Sequence, residues 1–522
     1  MRPLLAAVFA LLTVPAWAGL NILPTTTLSA ETSNNTSGAA TFTTQTNGNA
    51  APANISKAPM RSLLYGGSNT AMYAHFMAWF GGTNHMNVGY RSDDTTQVNK
   101  QITDMLSRGI QGMIIDWYGP NRREDTASLY VKADAETRGG QFVFSIMEDG
   151  GALKSCANTV GCSVTQKLIN DLAYINSTYE GSPAYMRMSG RPVIGFFGTE
   201  AYTIDWNAVR AAVSGNPLFI FRNSGAFTKT QTNGGYSWTG INTSNPNDMG
   251  LGYLDNFYNV ALNFPAEYAF GSAYKGFNDT LASWSANRVV NQQCAQTWLA
   301  TMKEESKYFN ANNQLDAFQL VTWNDYEEGT ELETGIDNCA SVSGSSSGSN
   351  LNWALSGQEN TVDHYTVFIS TDGQNLMPLR DVAAGTHALN LGSFAIAPAT
   401  YSMYVKAVGK PSIRNHMSPA ITYRVSPQVK IGTPLNNSTV TTSVAVKASA
   451  YSPNPVTAVQ IYLDNKLIYQ QKPAILSTTI KVSAGTHNIV VKGWDTSGAS
   501  FSSAVAVKAS VAKTTAWRYG IW

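Results

Sequence analysis

Charge is scarce in this chain. Only 13% of its 522 residues are Asp, Glu, Lys or Arg, and 35 basic against 34 acidic residues leave a net charge of +1. A balance so close to neutral offers no basic field for nucleic acid and no acidic tail for a cationic partner. Cysteine is scarce too, and none of the four has a His at ligand spacing, which argues against a metal centre. Nucleotide signatures are missing: no G-x-G-x-x-G follows a strand-like run and no Walker sequence occurs, so no cofactor is expected. Apolar runs long enough to cross a bilayer are lacking as well. The N-terminal one, Leu4 to Val14, falls short of the ~20 residues that a spanning helix needs.

What the chain does have is aromatic surface, at 11% Phe, Trp and Tyr. With so little charge, these rings suit a neutral ligand held by ring faces and hydrogen bonds, and carbohydrate is the obvious candidate. The opening MRPLLAAVFALLTVPAWAG combines Arg2, a short apolar core and Ala16-Trp17-Ala18, the pattern of a secretory signal peptide over residues 1–18. The expectation is an extracellular or periplasmic monomer with no membrane attachment after cleavage. Export permits disulfides. Of the three pairings open to four cysteines, the preferred one joins Cys156 to Cys162 and Cys294 to Cys339. The second bridge would close a loop of about 45 residues, a gain of ~4 kcal/mol on chain entropy that would steady the chain around it.

Residues 19–58 are rich in Thr, Ser, Asn and Ala, the composition of a disordered spacer. ASVSGSSSGSN, 340–350, reads as a flexible Gly/Ser linker. Between them, in 59–339, strand-like runs at 71–80, 112–118, 141–148, 191–198, 217–223 and 317–323 alternate with amphipathic segments. Two of those segments close on Gly109 and Gly139, and two open with Ser163 and Asp205 as caps. Together with a weaker stretch from Tyr236 to Lys275, this alternation predicts an α/β fold, a parallel (β/α)8 barrel. Most strand runs end in aromatic or polar residues before a Gly or Pro, as in WFGG, WYGP, MEDGG and FFGT. The C-terminal rim of such a barrel carries the active site, which makes Trp79, Trp117, Tyr118, Glu148, Phe197 and Trp323 candidate rim residues. Asp116 is either a ligand-binding acid or a buried loop tie. Asp149 stands with Glu148 on the rim, and His75 is either a core histidine or a rim ligand. His85 and Tyr90 are weaker candidates for ligand contact.

After the linker, short alternating strands with turn residues predict two all-β sandwich domains. Residues 351–426, with Trp353, Tyr365 and Tyr404, resemble a fibronectin type III domain. Residues 427–511, with LDNK as a hairpin turn and WDTSG as a later one, resemble a bacterial immunoglobulin-like domain, and 512–522 is a tail. Their expected roles are spacing or weak ligand contact.

The densest chemistry lies in LVTWNDYEEGTELETG, where five carboxylates fall between Asp325 and Glu333. Two acids held close cannot both ionise easily, and unequal burial divides them into acid and base. Backbone that stays extended past Trp323 would put Asp325 and Glu327 on one side. A helical turn would instead pair Asp325 with Glu328, Cβ atoms ~5 to 6 Å apart. Gly329 favours the turn, and Glu331 and Glu333 read as a solvated loop face.

The run resembles the strand-8 motif of glycoside hydrolase families 71 and 99, W-N-D/E-aromatic-x-E. It shares W-N-D-Y with the endo-α-1,3-glucanases of the first and E-G-T-E-L-E with the endo-α-mannan-cleaving enzymes of the second. YAHFMAWFGG, RGIQGMIIDWYGP, RPVIGFF and YKGFND resemble other segments of the group, so the likeness covers about 60–340 in pieces. It implies endo-acting hydrolysis of an α-linked polysaccharide, α-1,3-glucan before α-mannan, without metal. Asp325 aligns with the base or neighbouring-group carboxylate and Glu328 with the general acid. Trp323, Tyr326, Glu327, Trp117, Tyr118, Asp116, Glu148, Trp79 and His75 are the expected substrate contacts. Glu327 departs from both families, which have Gly or His there, and is either a substrate contact or a solvated neighbour that raises the pKa of Glu328. The first family inverts anomeric configuration and the second retains it; both outcomes stay open. A noncatalytic glycan-binding or adhesion protein on the same scaffold is the alternative.

Overall fold

The computed structural model describes residues 26–27 and 55–511, apart from Gln374. The expected signal peptide, most of the spacer and the C-terminal tail lie outside the described residues. Eight parallel strands form the first unit: β1 (Ala71–Met77), β2 (Gly112–Trp117), β3 (Val143–Asp149), β4 (Arg191–Phe197), β5 (Leu218–Arg222), β6 (Gly234–Tyr236), β7 (Tyr268–Ala273) and β8 (Ala317–Leu320). They are hydrogen-bonded in the order β3-β2-β1-β8-β7-β6-β5-β4, and β3 pairs with β4 to close the barrel.

Outside lie α1 (Thr95–Ser107), α2 (Arg123–Thr137), α3 (Gly151–Ala157), α4 (Val164–Ile175), α5 (Trp206–Ala212), α6 (Leu251–Ala261) and α7 (Gln296–Glu304). Asp94, Ser163 and Asp205 cap α1, α4 and α5 by accepting backbone N–H groups of the first turn, and Gly109 follows α1 at φ 78°. Val98, Ile102 and Met105 on α1 and Ala127, Val131 and Ala135 on α2 form the stripes buried against the sheet. β6, which ends where the weak stretch begins, is hard to see in sequence for a steric reason. A Cβ on Gly234 would come within 2.1 Å of the Tyr268 carbonyl oxygen, so the position excludes the branched side chains that make a strand visible in sequence.

Two further cores follow, one around Leu351, Trp353, Tyr365 and Met403 and one around Val446, Ile461 and Val491. The run 340–350 is not a linker. Ser341–Ser347 is a strand, antiparallel to Asn350–Ser356, with Gly348 turning between them at φ 57°. Val342 is buried in the first sandwich, and a Cβ on Gly344 would meet Ile421 Cδ1 at 2.4 Å. The small residues are there for close packing.

That sandwich is also fastened to the barrel. Ile336 N–H donates to Ser412 O at 2.8 Å, Arg414 N–H returns to Ile336 O at 2.9 Å, and Trp298 Nε1–H donates to Pro411 O at 3.0 Å. Ile55 and Ser56, placed by composition in the spacer, are buried at the same seam, where Ser56 N–H donates to Ile413 O at 2.9 Å. In the second sandwich LDNK forms its hairpin, with Asp464 and Asn465 at φ 48° and 69° and Leu463 paired with Lys466. Both expected disulfides, Cys156–Cys162 and Cys294–Cys339, are formed. No helix among the described residues is long and apolar enough to cross a membrane.

Candidate active site

At the C-terminal rim the strand ends surround an open cavity of about 360 Å3. Four carboxylates line it, Asp116, Asp149, Asp325 and Glu328, together with the rings of Trp79, Tyr118, Phe197, Trp238 and Trp284 and with His75 and Met77. The pleat of each strand decides which side chain enters. On β1, His75, Met77 and then Trp79 share the inner face; on β2 and just beyond it, Asp116 and Tyr118 do.

The neighbours of opposite parity point into the shell. Trp117 donates from Nε1 to Asp125 at 3.1 Å and stacks on Tyr174 of α4, so it is packing and not a cavity contact. Glu148 likewise faces outward, toward Asp171 and Lys167 of α4, and the cavity acid of that strand is Asp149. Gly151 admits this arrangement: a Cβ there would lie 2.5 Å from the Tyr118 ring, and its N–H donates to Asp149.

The acidic run enters the rim as a turn. Asp325 Oδ1 accepts from the backbone N–H groups of Glu327 at 3.0 Å and Glu328 at 2.9 Å, which leaves Oδ2 for a ligand. Thr322 Oγ1 accepts from Asp325 N–H at 2.8 Å, and Gly329 ends the turn at φ 61°. Asn324, not singled out from the sequence, bonds both backbone groups of Met77 at 2.8 and 3.0 Å and so locks this turn to the end of β1. The turn brings Asp325 and Glu328 to the same cavity. Glu327 faces the other way, accepting from Met86 N–H at 2.9 Å and meeting His85 Nδ1 at 2.8 Å.

Four other expectations for the run fail for one reason, that the chain after the rim dives into the protein. Trp323 is fully buried beneath the Arg108 guanidinium, 4.8 Å from the ring centroid, away from the cavity. Tyr326 is fully buried and donates to Glu333 at 2.8 Å. Glu331 and Glu333 are no solvated loop face, for both have no exposed surface. Glu331 pairs with the equally buried Lys275 at 2.8 Å, and Glu333 accepts from Tyr90 at 2.8 Å and Gln101 at 3.1 Å. Tyr90 is therefore a core partner.

Electrostatics follow from this burial. Removal from water raises Asp325 well above the usual carboxylate range, and the Glu328 charge pushes the same way. Burial raises Glu328 to about 7 against the opposing pull of Arg288 and a hydrogen bond from Trp284. Asp116 is raised by burial and then by Asp149 and Asp325, and burial lifts Asp149 to about 6. Four acids crowded into one cavity cannot all be charged easily, so protons are retained there at neutral pH. His75 is held neutral, lowered to about 3 by burial. Its Nδ1, Asp116 Oδ1 and Trp79 Nε1 are buried without a protein partner, an arrangement that a ligand's hydroxyls would satisfy.

Trp238 and Trp284 were missed in the sequence. Trp238 follows β6 in SWTG, the same strand-end pattern as its fellows, whereas Trp284 sits in a loop with no periodic signal. Among the described residues no three His, Cys, Asp or Glu side chains are arranged to hold a metal ion. Larger hollows on the two sandwiches, around Lys430 and Lys447 and around Ser343 and Trp353, hold no carboxylate.

Residues 427–491 match a family model described as a Bacterial Ig domain, where an Ig-like sandwich was expected. Among solved structures, the GH99 endo-alpha-mannosidase from Bacteroides thetaiotaomicron in complex with bis-tris-propane aligns at 16% identity and a TM-score of 0.41 over 51% of this chain and 87% of that one. Fibronectin(III)-like modules of Clostridium thermocellum CbhA align at 21% identity and a TM-score of 0.15 over 16% of this chain and 93% of that one. Likeness at this level carries no argument about chemistry. No curated protein matches the chain. The disulfides and the Bacterial Ig domain fit an extracellular protein.

Proposed function

We propose that this chain is a secreted glycoside hydrolase that cleaves within an α-linked polysaccharide, with α-1,3-glucan the first substrate to test and α-mannan the second. One observation carries the reading: of five clustered carboxylates, only Asp325 and Glu328 turn into a cavity walled by Trp and Tyr rings. Glycosidic cleavage needs one carboxyl to protonate the departing oxygen and a second to assist at the other face of the sugar. Glu328, raised to about 7, keeps its proton at mildly acidic pH and is assigned as the general acid. Asp325 is assigned as the base or neighbouring-group carboxylate. Its Oδ1 is held by two backbone N–H groups, which fixes the direction of Oδ2 and supports the charged form against the burial that raises this carboxyl. His75, Asp116 and the Trp79 indole supply hydrogen bonds to ring hydroxyls, and the aromatic walls hold the apolar faces of the sugar. The sandwiches act as spacers in this reading.

The test is release of reducing ends from a panel of purified α-glucans and α-mannans, by wild type and by Asp325→Asn with Glu328→Gln. Cleavage of one of them by wild type alone supports the proposal. Binding without new reducing ends, or cleavage by the double variant at the wild-type rate, sinks it. The anomer released first, read by NMR, decides between inversion and retention.

A further inference from the structure

Glu327 is the one acid of the run that neither lines the cavity nor joins the inner core. Glu327 and Glu328 both give their backbone N–H groups to Asp325, and as successive residues on that turn their side chains diverge, Glu328 toward the cavity and Glu327 toward the loop 81–90 that follows β1. There its carboxylate binds Met86 N–H at 2.9 Å and His85 Nδ1 at 2.8 Å. His85 in turn lies flat on Trp79, ring centroids 4.7 Å apart and planes 7° apart, and meets the Trp284 ring at 6.0 Å. Trp79 and Trp284 both line the cavity that Glu328 enters. The contacts run from Glu327 through His85 to the two indoles that wall the cavity beside Glu328. Gly81 and Gly82 open the loop with little intrinsic stiffness. A pair of hydrogen bonds accepted by one carboxylate is the kind of tie that fixes it.

We propose that Glu327 is a positioning residue: through His85 it holds Trp79 and Trp284 as the aromatic wall on which a sugar ring rests beside Glu328. The inference rests on the glycoside hydrolase reading for the identity of the ligand, and its test separates the two. Acrylamide quenching of tryptophan fluorescence is compared for wild type, Glu327→Ala and Glu327→Gln, each also in a Trp79→Phe background. That background isolates one indole among 12. Glu327→Ala is expected to raise the quenching, with the rise lost when Trp79 is absent. Glu327→Gln, which keeps an acceptor for Met86 N–H and a partner for His85, is expected to restore most of the protection.

On the cleaved polysaccharide, Glu327→Ala is expected to raise KM about tenfold with kcat within about threefold, and to move the acidic limb of the pH profile down, because the Glu327 charge helps to hold Asp325 up. Unchanged quenching overturns the proposal whatever the activity. A kcat lower by about 10^3 at constant KM overturns it too, because Glu327 would then act on the reacting atoms. If wild type cleaves none of the polysaccharides, the hydrolase reading fails and the quenching alone decides whether Glu327 holds the wall.

Discussion

Asp325 and Glu328 on one side, and Glu331 and Glu333 a few residues further along, are the same chemistry in two settings. The first pair stands at the mouth of a cavity with no fixed cation in hydrogen-bond contact. The second lies under the barrel rim, Glu331 against Lys275 and Glu333 inside a cage of Tyr90, Tyr326 and Gln101. Burial raises all four. The difference is that the cavity acids face space that a ligand can enter, whereas Glu331 and Glu333 face only groups of the protein itself. A perturbed carboxyl therefore marks chemistry here only where it faces open space.

Substitution in the cavity pair should break the contrast most visibly. Glu328→Gln and Asp325→Asn are each expected to lower kcat by about 10^3 or more, while the thermal midpoint stays level or rises because a strained buried charge has gone. A fall in the midpoint parallel to the fall in rate would place these acids with the inner pair. Glu331→Gln should do the reverse. It takes the carboxylate away from the buried Lys275, and breaking a buried pair costs about 3–5 kcal/mol, read by denaturant unfolding. The joint replacement of Glu331 and Lys275 by Met should recover most of the loss, since two apolar side chains leave no charge behind. If the single variant is as stable as wild type, water reaches the pair and the inner setting is not dry.

The barrel was legible because strand and helix runs alternate with caps and glycines where the structure has them, at Ser163, Asp205 and Gly109. The site was legible in part. Its acid pair follows from Gly329 and the turn, and two of the errors have one cause. Once Asp116 is taken as inward, period-two geometry forbids Trp117 the same side. The same rule applied to MEDGG separates Asp149 from Glu148, and no such rule places Trp323, which lies past the last regular strand residue, Leu320. Glu331 and Glu333 misled because their partners Lys275, Tyr90 and Gln101 are brought in from other elements of the barrel. The strand at Ser341–Ser347 was read as a linker because its signal is the absence of bulk: Gly344 is there so that Ile421 fits.

Glu333 sharpens the contrast through pH. Its folded pKa is raised by burial from 4.5 to about 8. Its protonated form therefore contributes stability that is complete below the unfolded value and is lost as pH rises through the folded one. Each unit of pH in that window costs about 1.4 kcal/mol per proton released. Glu333→Gln removes the titration and should flatten unfolding free energy between pH 5 and about 8 relative to wild type. Parallel slopes for the two proteins would mean that the tyrosine and glutamine donors hold Glu333 ionised throughout.

The smallest expected effect tests whether Glu328 is the proton donor at all. Burial sets its pKa near 7, and the Arg288 guanidinium, itself paired to Asp279 at 2.7 Å, pulls it down from where burial alone would leave it. Arg288→Gln removes that pull and frees the Asp279 charge, which acts in the same upward direction. The basic limb of the kcat/KM profile should then move up by about half a unit, since a charge on a partly solvated side chain is screened, and Arg288→Lys should hold it in place. The inner acids would not respond in this way, because the Arg288 charge acts on Glu328 and is not among the causes that set Glu331 or Glu333. A limb that stays fixed, or moves down, assigns the titrating group to another carboxyl of the cavity, with Asp149, lifted to about 6, the next to substitute.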